Sequence, residues 1–233
     1  MEPLLTLLDP DLPDQEFPPV EKALKEPDGL LAVGGCLSPQ RIISAYRHGI
    51  FPWYSPGEPI LWWSPDPRLV LFPNKFSPSR SLRKTLRRQV FRVTFDTAFD
   101  DVISACSAAR KDAEGTWITP EMQQAYRQLH QLGFAHSVEA WCNEELAGGL
   151  YGVVIGHVFF GESMFHRQRD ASKVAFAHLV QALLHWRYQL IDCQVRTPHL
   201  FSLGAEEISR EHFLRLLGKC CQSPASEKAW QHR

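Results

Sequence analysis

HVFFGESMF, HRQRDASKVAFAHLVQALLHWRYQ and LIDCQV run consecutively from residue 157 to residue 195. The first piece is rich in Phe and Val and predicts a strand. A basic loop follows. A helix then begins at Ala171, with Phe176, Leu179, Val180 and Leu183 recurring at i, i+3, i+4 and i+7. Asp170 is placed to cap it. LIDCQV is short and apolar and predicts a second strand, so the unit reads as a right-handed βαβ crossover. Three polar side chains interrupt these apolar strands: Glu162, Asp192 and Gln194. Strand alternation puts Asp192 and Gln194 on one face and Cys193 on the other. It also groups Phe160, Glu162 and Met164, with Phe159 opposite, unless a bulge at Gly161 resets the pattern. Burying such groups unpaired costs about 1–3 kcal/mol each, so they are expected to carry chemistry. The plain structural alternative for Glu162 is an ion pair with Arg167 or Lys173.

The rest of the composition narrows the field. The chain has 233 residues, 44% of them hydrophobic and 22% charged, as in an ordinary globular protein. No apolar run approaches the roughly 18–20 residues of a membrane span. The start, MEPLLTLLDPDLPDQEFPPVEK, lacks the basic end and small-residue cleavage site of a secretory leader. A cytoplasmic protein without membrane attachment is expected. The cysteines, Cys36, Cys106, Cys142, Cys193, Cys220 and Cys221, form no C-x-x-C pair and have no His at zinc-ligand spacing. They read as small buried hydrophobes in a reducing compartment, with no metal expected. Net charge is −1, which excludes a surface coated in basic residues but leaves room for a local patch. SPSRSLRKTLRRQV, residues 77–90, carries Arg80, Arg83, Lys84, Arg87 and Arg88 and no acid. As a helix it has a seam of Leu82, Leu86 and Val90. A solvated face and a phosphate-binding surface both fit, and the missing acids favour phosphate.

Prolines between Pro3 and Pro27 forbid a long helix at the start. Ser38 and Pro39 then open a short helix through Ile42, Ile43, Ala45 and Tyr46, closed by Gly49. IFPWYSPGEPILWWSPDPR, with its many rings and prolines, predicts an irregular wall. Its rings read mostly as core, but Trp53, Trp62 or Trp63 could also stack on a flat ligand such as a nucleobase. From Arg68 the texture changes. LVLF and FRVTFD predict strands, 97–110 and 119–133 helices, and KDAEGTW between them a loop. AHSVEAW and ELAGGLYGVVIGHVFFGESMF predict an antiparallel meander turning at Asn143–Glu144 and Gly156–His157. SLGAEEISREHFLRLLG predicts a last helix, and the tail beyond Cys221 is expected to fray. The fold class is α+β, with a small Pro- and aromatic-rich α+β domain over 1–68 and a catalytic domain over 69–233.

The element order of the second part resembles the GNAT acyltransferase architecture. Eight segments in sequence, GIFPWYSPGEPILWWSPDPR, GTWITPEM, AHSVE, GGLYGV, FFGESMF, ASK, LIDCQ and SLGAEEISR, resemble leucyl/phenylalanyl-tRNA–protein transferases over most of residues 28–214. The resemblance implies a GNAT-like C-terminal domain on a small N-terminal domain. It implies transfer of Leu or Phe, sometimes Met, from charged tRNA to the N-terminal Arg or Lys of a protein, marking it for degradation. It implies no metal, ATP or coenzyme A. It further implies Asp192 and Gln194 as a catalytic pair with Glu162 beside them. Phe159, Met164 and Leu150 would form an amino-acid pocket, Trp53 and Trp117 would lie near the adenine, and the basic helix would hold the acceptor stem. A monomer is expected.

Aminoacyl esters are already activated, so the reaction needs only a neutral attacking amine, a proton acceptor and a place for the oxyanion. Gln194 cannot be a base, but its carbonyl oxygen can orient the amine. Asp192 can position that amide or relay a proton, and the sequence leaves the two open. Glu162 or Asp192 could read the acceptor's cations. Other readings stay open beside this one. A coenzyme-A-dependent acyltransferase would carry a glycine-rich pyrophosphate loop where this chain has HRQRDASK. A non-catalytic RNA-binding module would leave Asp192 and Gln194 without a role. A peptidyl cross-bridge transferase is the nearest enzymatic cousin.

Overall fold

Two sheets organise the chain, and the computed structural model describes residues 5–108, 116–222 and 229–230. The first segment contains β1 (Thr6–Leu8), β2 (Leu30–Gly34), α1 (Pro39–Arg47), β3 (Phe51–Pro52) and β4 (Leu61–Trp63). Its four strands pair in the order β1-β2-β4-β3. Next come β5 (Arg68–Leu71), α2 (Arg80–Arg88), β6 (Arg92–Phe95), α3 (Phe99–Ser107) and α4 (Pro120–Gln131). They are followed by β7 (Ala135–Cys142), β8 (Glu145–Ile155), β9 (Val158–His166), α5 (Ala171–His185) and β10 (Leu190–Gln194). The chain closes with α6 (Pro198–Phe201), β11 (Glu206–Ile208) and α7 (Arg210–Cys220). The second sheet runs β11-β5-β10-β9-β8-β7-β6. One buried cluster links the sheets, joining Tyr46, Phe51 and Trp62 to Phe99, Tyr126, Phe160 and Phe213. Among the described residues no helix is long and apolar enough to cross a membrane.

Local sequence accounts for most boundaries. Ser38 and Thr119 accept helix-opening N–H groups from Arg41 and Met122, each with proline in the first turn. The meander turns where expected, and β9 and β10 pair in parallel across α5. Four expectations need correction. The last helix begins only at Arg210, because Ser209 caps it, and Glu206–Ile208 instead adds an edge strand to β5. The basic helix ends at Arg88 on a left-handed Gln89, which leaves Val90 half exposed instead of in the seam. Asp170 precedes α5 but makes no cap hydrogen bond. It adopts a left-handed conformation, accepts from Thr85 and pairs with Lys173. In the tail expected to fray, the described Trp230 stacks on His136 at 4.2 Å and donates its Nε1–H to Tyr188 at 3.1 Å. Most of the expected 111–117 loop lies outside the described residues.

The sheet forks at its centre. Strands β9 and β10 pair from Leu190 opposite Val158 to Asp192 opposite Phe160. Past that point β9 runs on to His166 against β8 alone, while β10 stays with β5. Each arm carries a bulge where the arms part. On β9, Gly152 of β8 faces Gly161 and Tyr151 faces Ser163, so Glu162 is the extra residue. On β10, Asp192 faces Val70 and Gln194 faces Leu69, so Cys193 is the extra residue. Bulges re-aim side chains and break the two-residue period. Glycine is required at Gly152, where a Cβ would lie 2.3 Å from the Phe160 carbonyl oxygen and 2.5 Å from the Phe159 ring.

Candidate active site

The fork opens onto a cavity of about 1250 Å³. Glu162, Asp192, Gln194, Leu150, Phe159, Met164, Trp53 and Trp117 all line it. Simple alternation would have separated Phe159 from Glu162 and Met164. With the bulge in place Met164 joins Phe159 in the cluster that includes α5, while Glu162 and Phe160 both meet Tyr46. Phe176 of α5 and Ile191 of β10 also line the cavity, at positions that the helix period and the apolar strand mark only as core. Trp53 is 43% exposed at the rim and packs on Trp63 with ring centres 5.8 Å apart. Trp62 is core, with its Nε1–H donated to Gly34.

Glu162 has three donors. Its Oε1 accepts from the Tyr46 hydroxyl at 2.6 Å and from Gln194 Nε2 at 2.7 Å, and its Oε2 accepts from the Tyr126 hydroxyl at 2.8 Å. The two tyrosine oxygens are 2.6 Å apart. The expected alternative, pairing with Arg167 or Lys173, does not hold: Arg167 donates to the Leu146 carbonyl and Lys173 sits on Asp170. Burial pushes the Glu162 carboxyl up to about 7; the Asp192 charge adds to that push, and the three donors oppose it. Burial and the Glu162 charge hold the Tyr46, Tyr126 and Tyr151 hydroxyls firmly protonated. Tyr151 also lines the cavity, and its buried hydroxyl has no partner among the described residues.

Asp192 is engaged elsewhere. Arg68 Nε donates to its Oδ1 at 2.8 Å and Nη2 to its Oδ2 at 2.7 Å, with both side chains shut off from water. Its Oδ1 also accepts the Gln194 backbone N–H at 2.9 Å. Of the two roles left open for Asp192, positioning the Gln194 amide or relaying a proton, the structure shows a contact with the Gln194 backbone N–H, which the bulge turns toward it. Gln194 adopts φ of +61° there. Its Nε2 faces Glu162, and its Oε1 has no hydrogen-bond partner among the described residues. Burial and the neighbouring Asp192 charge push the Cys193 thiol far up, so it supplies no thiolate nucleophile. Arg68, Tyr46, Tyr126 and Tyr151 escaped the sequence reading. Only Arg68 carried a signal, a cation directly before the apolar strand LVL.

The five basic residues of α2 are exposed and form no ion pair among the described residues. Ser79, Ser81 and Leu82 of the same segment reach the cavity wall, so this charge borders the opening. Arg167, Arg169 and Lys173 add to the rim.

The family described as "Leucyl/phenylalanyl-tRNA protein transferase" matches residues 70–218, and its N-terminal domain matches residues 35–66. This chain belongs to that family. A leucyl/phenylalanyl-tRNA–protein transferase of Methylococcus capsulatus is 58% identical over 98% of this chain and 97% of its own length. One from Nitrosomonas europaea is 58% identical over 93% of this chain and 92% of its own length. A GCN5-related N-acetyltransferase from Kribbella flavida superposes with a TM-score of 0.38 and 12% identity, covering 72% of this chain and 60% of that one. That likeness is too distant to argue from.

In this transferase-family site, a carboxyl that titrates at about 7 when folded, against about 4.5 when unfolded, ties stability to pH. The fold favours its protonated form, so its contribution is full below the lower value and is lost as pH rises through the upper. The loss is on the order of 3 kcal/mol. Glu162→Gln removes the titration. The variant's stability minus that of the wild type should therefore rise by that order between pH 4.5 and 8 in urea unfolding. A pH-independent difference would contradict the site's electrostatics.

Proposed function

We propose that this chain moves Leu or Phe from aminoacyl-tRNA to the N-terminal Arg or Lys of acceptor proteins, with Glu162 as the proton acceptor. The observation that carries this reading is a buried carboxyl held by three donors in the lining of the cavity, its titration pushed up to about 7. The incoming α-amine has an unperturbed pKa of about 8. Its ammonium form is drawn to ionised Glu162, gives up a proton there and becomes nucleophilic. The free Gln194 Oε1 accepts an amine N–H and turns the lone pair toward the ester carbon. The C–N bond forms as the ester C–O bond to the tRNA ribose breaks; Glu162 gives its proton to the departing ribose oxygen, takes the second proton from the new amide nitrogen and releases it to water.

The same reading assigns the remaining parts. Leu150, Phe159, Met164, Phe176 and Ile191 offer an apolar pocket for the donor side chain. Trp53 and Trp117 offer rings for the terminal adenosine. Arg80, Arg83, Lys84, Arg87 and Arg88 hold acceptor-stem phosphates without reading sequence. With Asp192 neutralised by Arg68, Glu162 is the carboxylate left to meet the acceptor's cations. The forked sheet, with parallel strands parting around the site, is consistent with a GNAT-like arrangement for 69–233 on a small domain over 1–68. We place the reaction in the cytoplasm, on a monomer.

The test is transfer of labelled Leu or Phe from purified tRNA to an Arg-starting peptide without ATP. The rate should climb as pH rises through 7 to 8. No transfer with any of the Leu, Phe or Met donors would overturn the reading. Replacing Arg83, Lys84 and Arg87 by Ala should weaken tRNA binding and reduce the slope of log affinity against log salt by about one per lost phosphate contact. An unchanged slope would return α2 to the role of a solvated face.

A further inference from the structure

Asp192 is too fully occupied to act on substrate, and its partner explains why it is there. The Arg68 guanidinium lies between two rings, with Cζ 4.7 Å from the centres of both Phe51 and Phe213. Phe51 belongs to the smaller sheet's β3 and Phe213 to the last helix, α7. From this fixed point a single chain of hydrogen bonds leads into the cavity. Arg68 grips both Asp192 oxygens, Asp192 Oδ1 holds the Gln194 backbone N–H, and Gln194 Nε2 holds Glu162. The middle link falls on the bulge, where a non-glycine residue sits at positive φ. Such a conformation persists only where neighbours hold it.

We propose that Arg68 is a positioning residue for the transfer reaction: it makes Asp192 a strut that locks the bulge and so sets the Gln194 amide against Glu162. Asp192 on this account neither relays a proton nor binds the acceptor. A pair kept only for stability would behave differently, since buried ion pairs can often be replaced by apolar side chains of similar size without loss of stability. The strut, by contrast, needs a forked donor. Lysine, a point charge on a flexible stem, lacks the planar pair of N–H groups that fixes the direction of both Asp192 oxygens.

The inference rests on the transfer reaction proposed above. An inactive wild type would defeat that reading, whereas an active wild type with unaffected variants would defeat this one alone. Steady-state kinetics across pH on three variants test it. Arg68→Lys should lower kcat at least tenfold, with KM for both substrates within about twofold and the pH midpoint of kcat unmoved. Asp192→Asn keeps an oxygen for the Gln194 N–H but deletes the negative charge that pushes Glu162 up. Its pH midpoint should shift downward, which loss of folded protein alone would not cause. The apolar pair Arg68→Met with Asp192→Leu should fold, as judged by its thermal transition, yet transfer at least tenfold more slowly, and it decides the matter if a single variant does not fold. Full kcat in Arg68→Lys, an unmoved midpoint in folded Asp192→Asn, or a fully active apolar pair would each overturn the proposal.

Discussion

Arg68 and Asp192 exchange two charge-assisted hydrogen bonds in a place that water does not reach. Desolvating both ions is costly, and replacement by packed apolar side chains would often be no less stable. What the pair supplies is direction. It ties β5 to β10 on the side of the fork away from β9, and aromatic rings from β3 and α7 clamp its cation. Asp192 Oδ1 also accepts the Gln194 backbone N–H, and that fixes which way the amide points. The geometry around Glu162 inherits its order from this one contact.

Glu162 is the complementary half of the design. A carboxylate at the wall of a largely apolar cavity would titrate far above the ordinary range if left bare. Tyr46, Tyr126 and Gln194 moderate that push and leave it at about 7. Two of these donors come from different layers: Tyr46 from α1 beside the smaller sheet and Tyr126 from α4. The proton acceptor is thus assembled from both parts of the chain. The apolar surroundings that raise its pKa are also those suited to a Leu or Phe side chain.

Much of this was legible in the sequence where the cause is local. Ser38, Thr119 and their following prolines announce helices, and the two-residue period of AHSVEAW and its neighbours announces the meander. The polar interruptions at 162, 192 and 194 pointed to the cavity. The bulge on β10 was not legible, because an inserted residue leaves the same letters in the same order; Gly161 offers the one on β9 only as an alternative to plain alternation. Nor was the Arg68–Asp192 contact legible, which joins residues 124 positions apart. The sequence accordingly leaves Asp192 between positioning the Gln194 amide and relaying a proton, and the structure shows it holding the Gln194 backbone N–H. Trp230 failed for the same reason, since its partners His136 and Tyr188 are distant in sequence.

The account stands on the ionisation of one carboxyl, which can be watched directly. Carbon-13 NMR of protein labelled at glutamate side-chain carboxyls, with Glu162→Gln as the assignment control, follows each group through pH. One resonance, absent from the variant, should titrate with a midpoint near 7. A Glu162 resonance with its midpoint in the range of an unperturbed glutamate, about 4.3, would contradict it.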